Sequence, residues 1–233
     1  MILSHKYRFI FIKTGKTAGT SVEIALSRFC GSDDIITPVS PEDEEKRLAM
    51  GGSGPRNYLA SPWQYTPSDW IKKALRGKPV LRFYNHMPAK QIKDRVGKNI
   101  WNSYFKFCIE RNPWDRVISQ YYWHHRRLNE SEMPSILEFL ESRHMSSIIR
   151  KKFYRYRLDG EVAVDRICRF ENLSEDLEEV RQHLGLPAPL ELPKTKAGTR
   201  KNRRHYRDIL SAQERDRIAE IFSDEIELMG YTF

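Results

Sequence analysis

Between Lys13 and Ser21 the chain reads KTGKTAGTS, directly after the apolar run YRFIFI (7–12). A helical pattern follows, with Val22, Ala25, Leu26 and Phe29 recurring on one side and Gly31 as a stop. Gly15, Ala18 and Gly19 are small enough for a ligand to approach the backbone. Lys16 adds a full positive charge, and Thr17, Thr20 and Ser21 add hydroxyl donors. The first N–H groups of a helix lack intrahelical acceptors, and the helix dipole favours negative charge there. A strand–loop–helix of this composition therefore predicts an anion cradle. The ATP or GTP version needs Gly-x-x-x-x-Gly-Lys-Ser/Thr. Gly15-Lys16-Thr17 matches its end, but Ile10, inside the strand, stands where the first glycine belongs. Alone, the loop leaves open an ordinary basic turn with no ligand.

A second group lies beyond the run SYFKFCIE (103–110), read as a strand. Arg111 leaves that strand, Asn112 is placed as an N-cap, and Pro113 suits the first helical position. Ser119 then falls about two turns into the helix running to His125. An Arg before a helix and a hydroxyl on its inward face hold a second phosphate from two sides. The competing reading pairs Arg111 with a neighbouring acid such as Glu110 and leaves Ser119 neutral. His86 closes VLRFYNH (80–86), read as a strand, just before a helix over 88–96. It titrates near neutrality, which suits a general base. Capping that helix or bonding a backbone carbonyl is the structural alternative. His124 and His125 read as surface residues, and the run YYWHH (121–125) as packing.

These residues need a scaffold of alternating strands and helices. A third strand over 164–170 leads into a helix over 174–184, ended by Gly185 and Pro187, and a last helix spans 211–229. The fold class is α/β: three layers, a central mostly parallel sheet with helices on both faces. Ligands then belong at the C-terminal strand ends. One domain over 1–233 is expected, with an irregular acceptor-side excursion at 32–80 holding short helices near 42–49 and 68–75. Its Trp63, Tyr65 and Trp70 read either as sugar-stacking rings or as packing. Shorter helices are expected over 134–142 and 146–154.

Composition narrows the classes. At 233 residues and 39% hydrophobic, the chain can bury a sizeable core. No run reaches the ~20 apolar residues of a membrane-spanning helix, and the N-terminus reads as a strand rather than a signal peptide. Cys30, Cys108 and Cys168 are an odd number without metal-ligand spacing, which points to a reducing, cytoplasmic setting. The net charge of +9 calls for an anionic partner without choosing one.

Taken together, IFIKTGKTAGTS resembles the 5′-phosphosulfate loop of sulfotransferases that use 3′-phosphoadenosine 5′-phosphosulfate (PAPS), and CIERNPWDRVISQYYW resembles their 3′-phosphate motif. CRFENLSEDLEEVRQHLGLP, the basic stretch after it and the closing helix are also similar to that family. The likeness is closest to the carbohydrate-type branch and covers nearly all of the chain except about 32–78. It departs at Gly15, often Pro in the family, and at Ala18, often Gly. The resemblance implies a P-loop NTPase-like sulfotransferase fold and PAPS as donor. It implies that Lys13, Thr14, Gly15, Lys16, Thr17, Gly19, Thr20 and Ser21 hold the 5′-phosphosulfate, Lys16 also stabilising the leaving oxygen. Arg111 and Ser119 would bind the 3′-phosphate, with a basic loop closing over it from which Arg200, Lys201, Arg203 or Arg204 would touch that phosphate. His86 would deprotonate a hydroxyl acceptor, a carbohydrate or small metabolite, with no metal and no nucleic acid required. Two rivals remain: a kinase with a degenerate P-loop, which lacks the first glycine and a convincing Walker B Asp, and a basic RNA- or polyanion-binding module, which lacks RRM, KH or zinc patterns.

Overall fold

The first two apolar runs of the chain pair with each other: β1 (Ile2–Ser4) lies antiparallel to β2 (Phe9–Phe11), Ile2 opposite Phe11. The computed structural model describes residues 1–152, 155–193 and 204–233. The remaining strands are β3 (Ile35–Ile36), β4 (Phe105–Glu110), the small hairpin of β5 (Arg157–Leu158) and β6 (Glu161–Val162), and β7 (Arg166–Arg169). The main sheet has the order β3-β1-β2-β4-β7. β2, β4 and β7 pair in parallel, while β1 is antiparallel to both its neighbours, so four of the five strands run one way.

The helices are α1 (Gly19–Ser27), α2 (Pro41–Ala49), α3 (Pro67–Arg76), α4 (Ala89–Val96), α5 (Lys98–Ser103), α6 (Pro113–His124), α7 (Ile136–Glu141), α8 (Arg143–Lys152), α9 (Leu173–Leu184), α10 (Ala212–Ile221) and α11 (Ser223–Met229). Strand alternation sorts the core. Ile10, Ile12 and Cys108 face Ile92 of α4 and Trp101 of α5. Phe9, Phe11, Phe107 and Ile109 face Val22 and Leu26 of α1 and Leu177 and Val180 of α9. A third apolar cluster joins α6, α7, α10 and α11 through Val117, Ile118, Phe139, Ile218 and Phe222. Helices thus cover both faces of the sheet.

Three expectations are corrected. Residues 80–86 make only an isolated bridge, Leu81 to Leu59, because Arg82 and Phe83 both turn their N–H groups to the Tyr58 carbonyl. The run closes the neck of the excursion instead of joining the sheet. The excursion itself is less irregular than read, since β3 within it pairs with β1. The last helix is two: fully buried Phe222, at φ −114° and ψ 24°, breaks it. β1 and α5 were not separated in the sequence; Gly97, at φ 84°, ends α4 and lets α5 start at once.

Phe107 sits on the central parallel strand with no exposed surface and packs against Phe9, Phe11 and Phe105. Phe107→Ala is expected to lower the unfolding free energy by about 3–5 kcal/mol, read as a shift in the urea midpoint with unchanged slope.

Candidate functional site

β2 and β4 end at the same edge of the sheet, so the 13–18 loop and Arg111 emerge side by side. The loop has an unusual backbone. Lys16 (φ 64°) and Ala18 (φ 57°) are both left-handed, with Thr17 between them at negative φ. Such alternation turns successive N–H groups toward one concave side, an anion-binding arrangement. Ala18 is the N-cap of α1 and supplies no capping side chain. Its conformation costs an L-residue about 1 kcal/mol relative to glycine, which accounts for glycine being common there in the resembling family. The Thr14 hydroxyl donates to the Ile109 carbonyl and meets Thr17 Oγ1 at 2.8 Å, pinning the loop to β4. Thr17, Thr20 and Ser21 are buried, while open space lies where a side chain at Gly15 would stand.

Lys13 behaves differently from its neighbours. Its ammonium lies 2.6 Å from Glu23 Oε2, and both side chains are buried. Burial alone would raise the Glu23 carboxyl; Lys13 and the Met1 amino group outweigh it and hold the pKa at about 2. A Cβ at Gly19 would come 2.7 Å from Lys13 Cγ, so glycine here accommodates the Lys13 stem as it crosses the start of α1. Lys13 is therefore turned into the protein, and the charge the loop presents outward is that of Lys16. Lys16 Nζ lies 4.5 Å from the centre of the Trp123 ring, within reach of a cation–π attraction.

Arg111 links the two motifs. Its Nη1 donates to the Lys16 carbonyl at 3.0 Å, Nε and Nη2 donate to Asp115 Oδ2 at 2.9 and 2.6 Å, and the guanidinium stacks over Phe170 at 4.1 Å. The acid beside Arg111 is thus Asp115, one turn along α6. Glu110 instead pairs with Arg116 Nη1 at 2.5 Å, because adjacent strand residues point to opposite faces. Asn112 is the N-cap, its Oδ1 accepting from Trp114 and Asp115 N–H, and Pro113 is the first helical residue. Ser119 is half-buried on α6.

His86 is held at φ 59° from two sides: its ring Nδ1 lies 3.2 Å from the Lys13 carbonyl, and Arg155 Nη1 donates to its own carbonyl. A carbonyl only accepts, so Nδ1 carries the proton and Nε2 the lone pair. Burial, then the charges of Lys13 and Arg155, push the ring pKa down to about 3, so it is neutral at pH 7. Thr14, Gly15, Lys16 and His86 line one cavity of about 320 Å³. From the other side it is lined by Arg116 and Gln120 of α6, by His144 of α8, and by Arg155. Gln120 Nε2 and His144 Nε2 are 3.1 Å apart.

Trp123, Arg116, Gln120, His144 and Arg155 were not singled out in the sequence. Arg116, Gln120 and Trp123 recur at helical spacing along α6, a signal that YYWHH obscured by reading as packing. His144 and Arg155 arrive from distant segments with no local mark. Of the two histidines expected at the surface, His124 is exposed, but His125 is buried, its Nδ1 on the Tyr121 carbonyl at 2.9 Å. Arg200, Lys201 and Arg203 lie outside the described residues; Arg204 is exposed. Among the described residues there is no group of His, Cys, Asp and Glu that would hold a metal ion. Nor is any helix there long and apolar enough to cross a membrane.

Residues 1–232 match the model of the "Sulfotransferase family". An uncharacterized protein of Archaeoglobus fulgidus is 37% identical over 107 residues, 46% of this chain and 88% of that protein. No solved structure matches.

Two outcomes follow from this geometry. Lys13→Met leaves the Met1 amino group as the cation paired with buried Glu23 and is expected to cost about 3 kcal/mol in denaturant unfolding, the low end for breaking a buried pair. His86 resists protonation in the folded state, with a pKa of about 3 against the usual 6.5. Its unfolded state then binds more protons between these values, so its contribution to stability is full above pH 6.5 and falls as the pH drops toward 3. Urea titrations from pH 7 to 4 are expected to show a shallower loss of stability for His86→Asn than for the wild type.

Proposed function

The chain belongs to the sulfotransferase family, and on that premise we propose that it transfers a sulfuryl group from PAPS to a hydroxyl of a carbohydrate or small-metabolite acceptor. The observation that carries this reading is the Arg111 Nη1 contact with the Lys16 carbonyl at 3.0 Å. It couples the loop suited to a phosphosulfate to the Arg suited to a 3′-phosphate, so one ligand with two anionic ends is matched by one connected set of donors. That donor set fits PAPS: backbone N–H groups at the start of α1, three hydroxyls, an ammonium and a guanidinium, without need of a carboxylate-bound metal.

PAPS, when bound, supplies the activated sulfuryl group and a leaving phosphate. The protein's share is positioning and electrostatics. Thr17, Gly19, Thr20 and Ser21, with Thr14 and Gly15 framing the cavity side, hold the phosphosulfate end. Lys16 neutralises charge on the leaving oxygen, and its contact with the Trp123 ring restricts where the ammonium rests. Arg111, oriented by Asp115, and Ser119 take the 3′-phosphate. His86 Nε2 accepts the acceptor's hydroxyl proton while Nδ1–H remains on the Lys13 carbonyl. The cavity of about 320 Å³ beside His86 is at the lower end of small-ligand sites and is where the acceptor hydroxyl enters.

Calorimetry distinguishes this reading from a kinase and from a nucleic-acid binder. 3′,5′-Adenosine bisphosphate is expected to bind more tightly than ATP with Mg²⁺ or an oligonucleotide; tighter binding of either competitor would overturn the proposal. Lys16→Ala is expected to lower kcat with PAPS by roughly 100- to 1000-fold without unfolding the protein, and unchanged turnover would remove Lys16 from the reaction.

A further inference from the structure

The segment 60–80 forms an arm closed at its neck by the Leu59–Leu81 bridge and by Ala60 N–H on the Val80 carbonyl at 2.9 Å. α3 within it is amphipathic, yet its apolar side faces solvent. Trp70 is 51% exposed, Ile71 60% and Leu75 80%, and Trp63, in the short 3₁₀ turn before it, is 84% exposed. Trp70, Ile71, Ala74 and Leu75 fall on one side of the helical projection. Apolar side chains this large, gathered on one exposed element, mark an interaction surface.

Charge identifies the partner. From Pro62 to Lys78 the chain carries Lys72, Lys73, Arg76 and Lys78 against a single acid, Asp69. The Asp69 carboxylate is engaged in the N-terminal cap of α3, accepting from Thr66 Oγ1 at 2.7 Å and from Thr66 N–H at 3.1 Å. Lys73 and Lys78 are exposed, and the Lys73 ammonium rides over the Tyr65 and Trp70 rings at 5.2 and 5.7 Å. Tryptophan and aliphatic residues on one side of a helix with lysines at its margins match the boundary between lipid headgroups and acyl chains. Two copies of this arm face to face would bring like charges together, in a protein whose net charge is already +9. We propose that the 62–78 arm docks the protein on an anionic lipid bilayer surface, inserting Trp63, Trp70, Ile71 and Leu75 and setting Lys73 and Lys78 against the headgroup phosphates. This surface is separate from the donor site and does not depend on which donor or acceptor the protein uses.

The test is co-sedimentation of the full chain with phosphatidylcholine vesicles, with and without roughly a third phosphatidylglycerol, alongside tryptophan emission and light scattering. Binding and a blue shift are expected only with the anionic vesicles and are expected to weaken with salt. Trp70→Ser/Leu75→Ser and, separately, Lys73→Glu/Lys78→Glu are each expected to reduce the lipid partition constant about tenfold or more, with unchanged far-UV circular dichroism. The second pair leaves every inserting side chain in place, so it tests the proposal even where the first fails to fold. Absence of binding to anionic vesicles, equal binding to neutral ones, or unchanged binding by the charge-reversed variant would overturn the proposal. So would a dimer without lipid that Trp70→Ser/Leu75→Ser dissolves, or selective capture of an acidic protein with no lipid binding.

Discussion

Glu23, buried in the first helix, anchors the 13–18 loop from behind by pairing with Lys13. The pair fixes the last residue of β2 against α1 and lays the Lys13 stem over Gly19, leaving no room there for a side chain. It also holds the Lys13 carbonyl, the acceptor for the His86 ring. Desolvating two charges offsets most of their attraction, so the pair's value lies in fixing one geometry more than in net stability. With Lys13 turned inward, Lys16 is the lysine this loop offers to a ligand. Two lysines three residues apart thus have opposite assignments, and the buried carboxylate decides between them.

The features most legible in the sequence were those governed by local rules. A strand ending in small residues and running into a helix marked the loop, and Asn112-Pro113 marked the start of α6, because capping is short-range. The resemblance grouped Lys13 with Lys16 around the phosphosulfate, and the inward turn of Lys13 is set by Glu23 across the helix, which no local pattern announces. Residues 80–86 have strand composition, yet their partner is Tyr58 at the neck of the arm, and composition says nothing of partners. His144 and Arg155 reach the cavity through tertiary packing alone. Ala18 was legible as a departure from the resembling family; its left-handed φ shows what the departure costs.

The electrostatics of the cavity bear on how a histidine with so low a pKa serves as a base. Arg116 is balanced by Glu110, whereas Lys13 and Arg155 both act on His86 to disfavour its protonated form. In the protein alone, His86 is therefore neutral but a weak proton acceptor. Were PAPS held at the neighbouring loop as proposed, the negative charge of its phosphosulfate would oppose those two cations, since nearby negative charge favours the imidazolium. In the proposed reaction, base strength rises only when the donor is in place, and the Nδ1–H bond to the Lys13 carbonyl keeps Nε2 directed to accept throughout. Burial, the larger cause of the low pKa, is untouched by that charge, so in this proposal the donor restores part of the base strength and the fixed Nδ1–H bond supplies its direction.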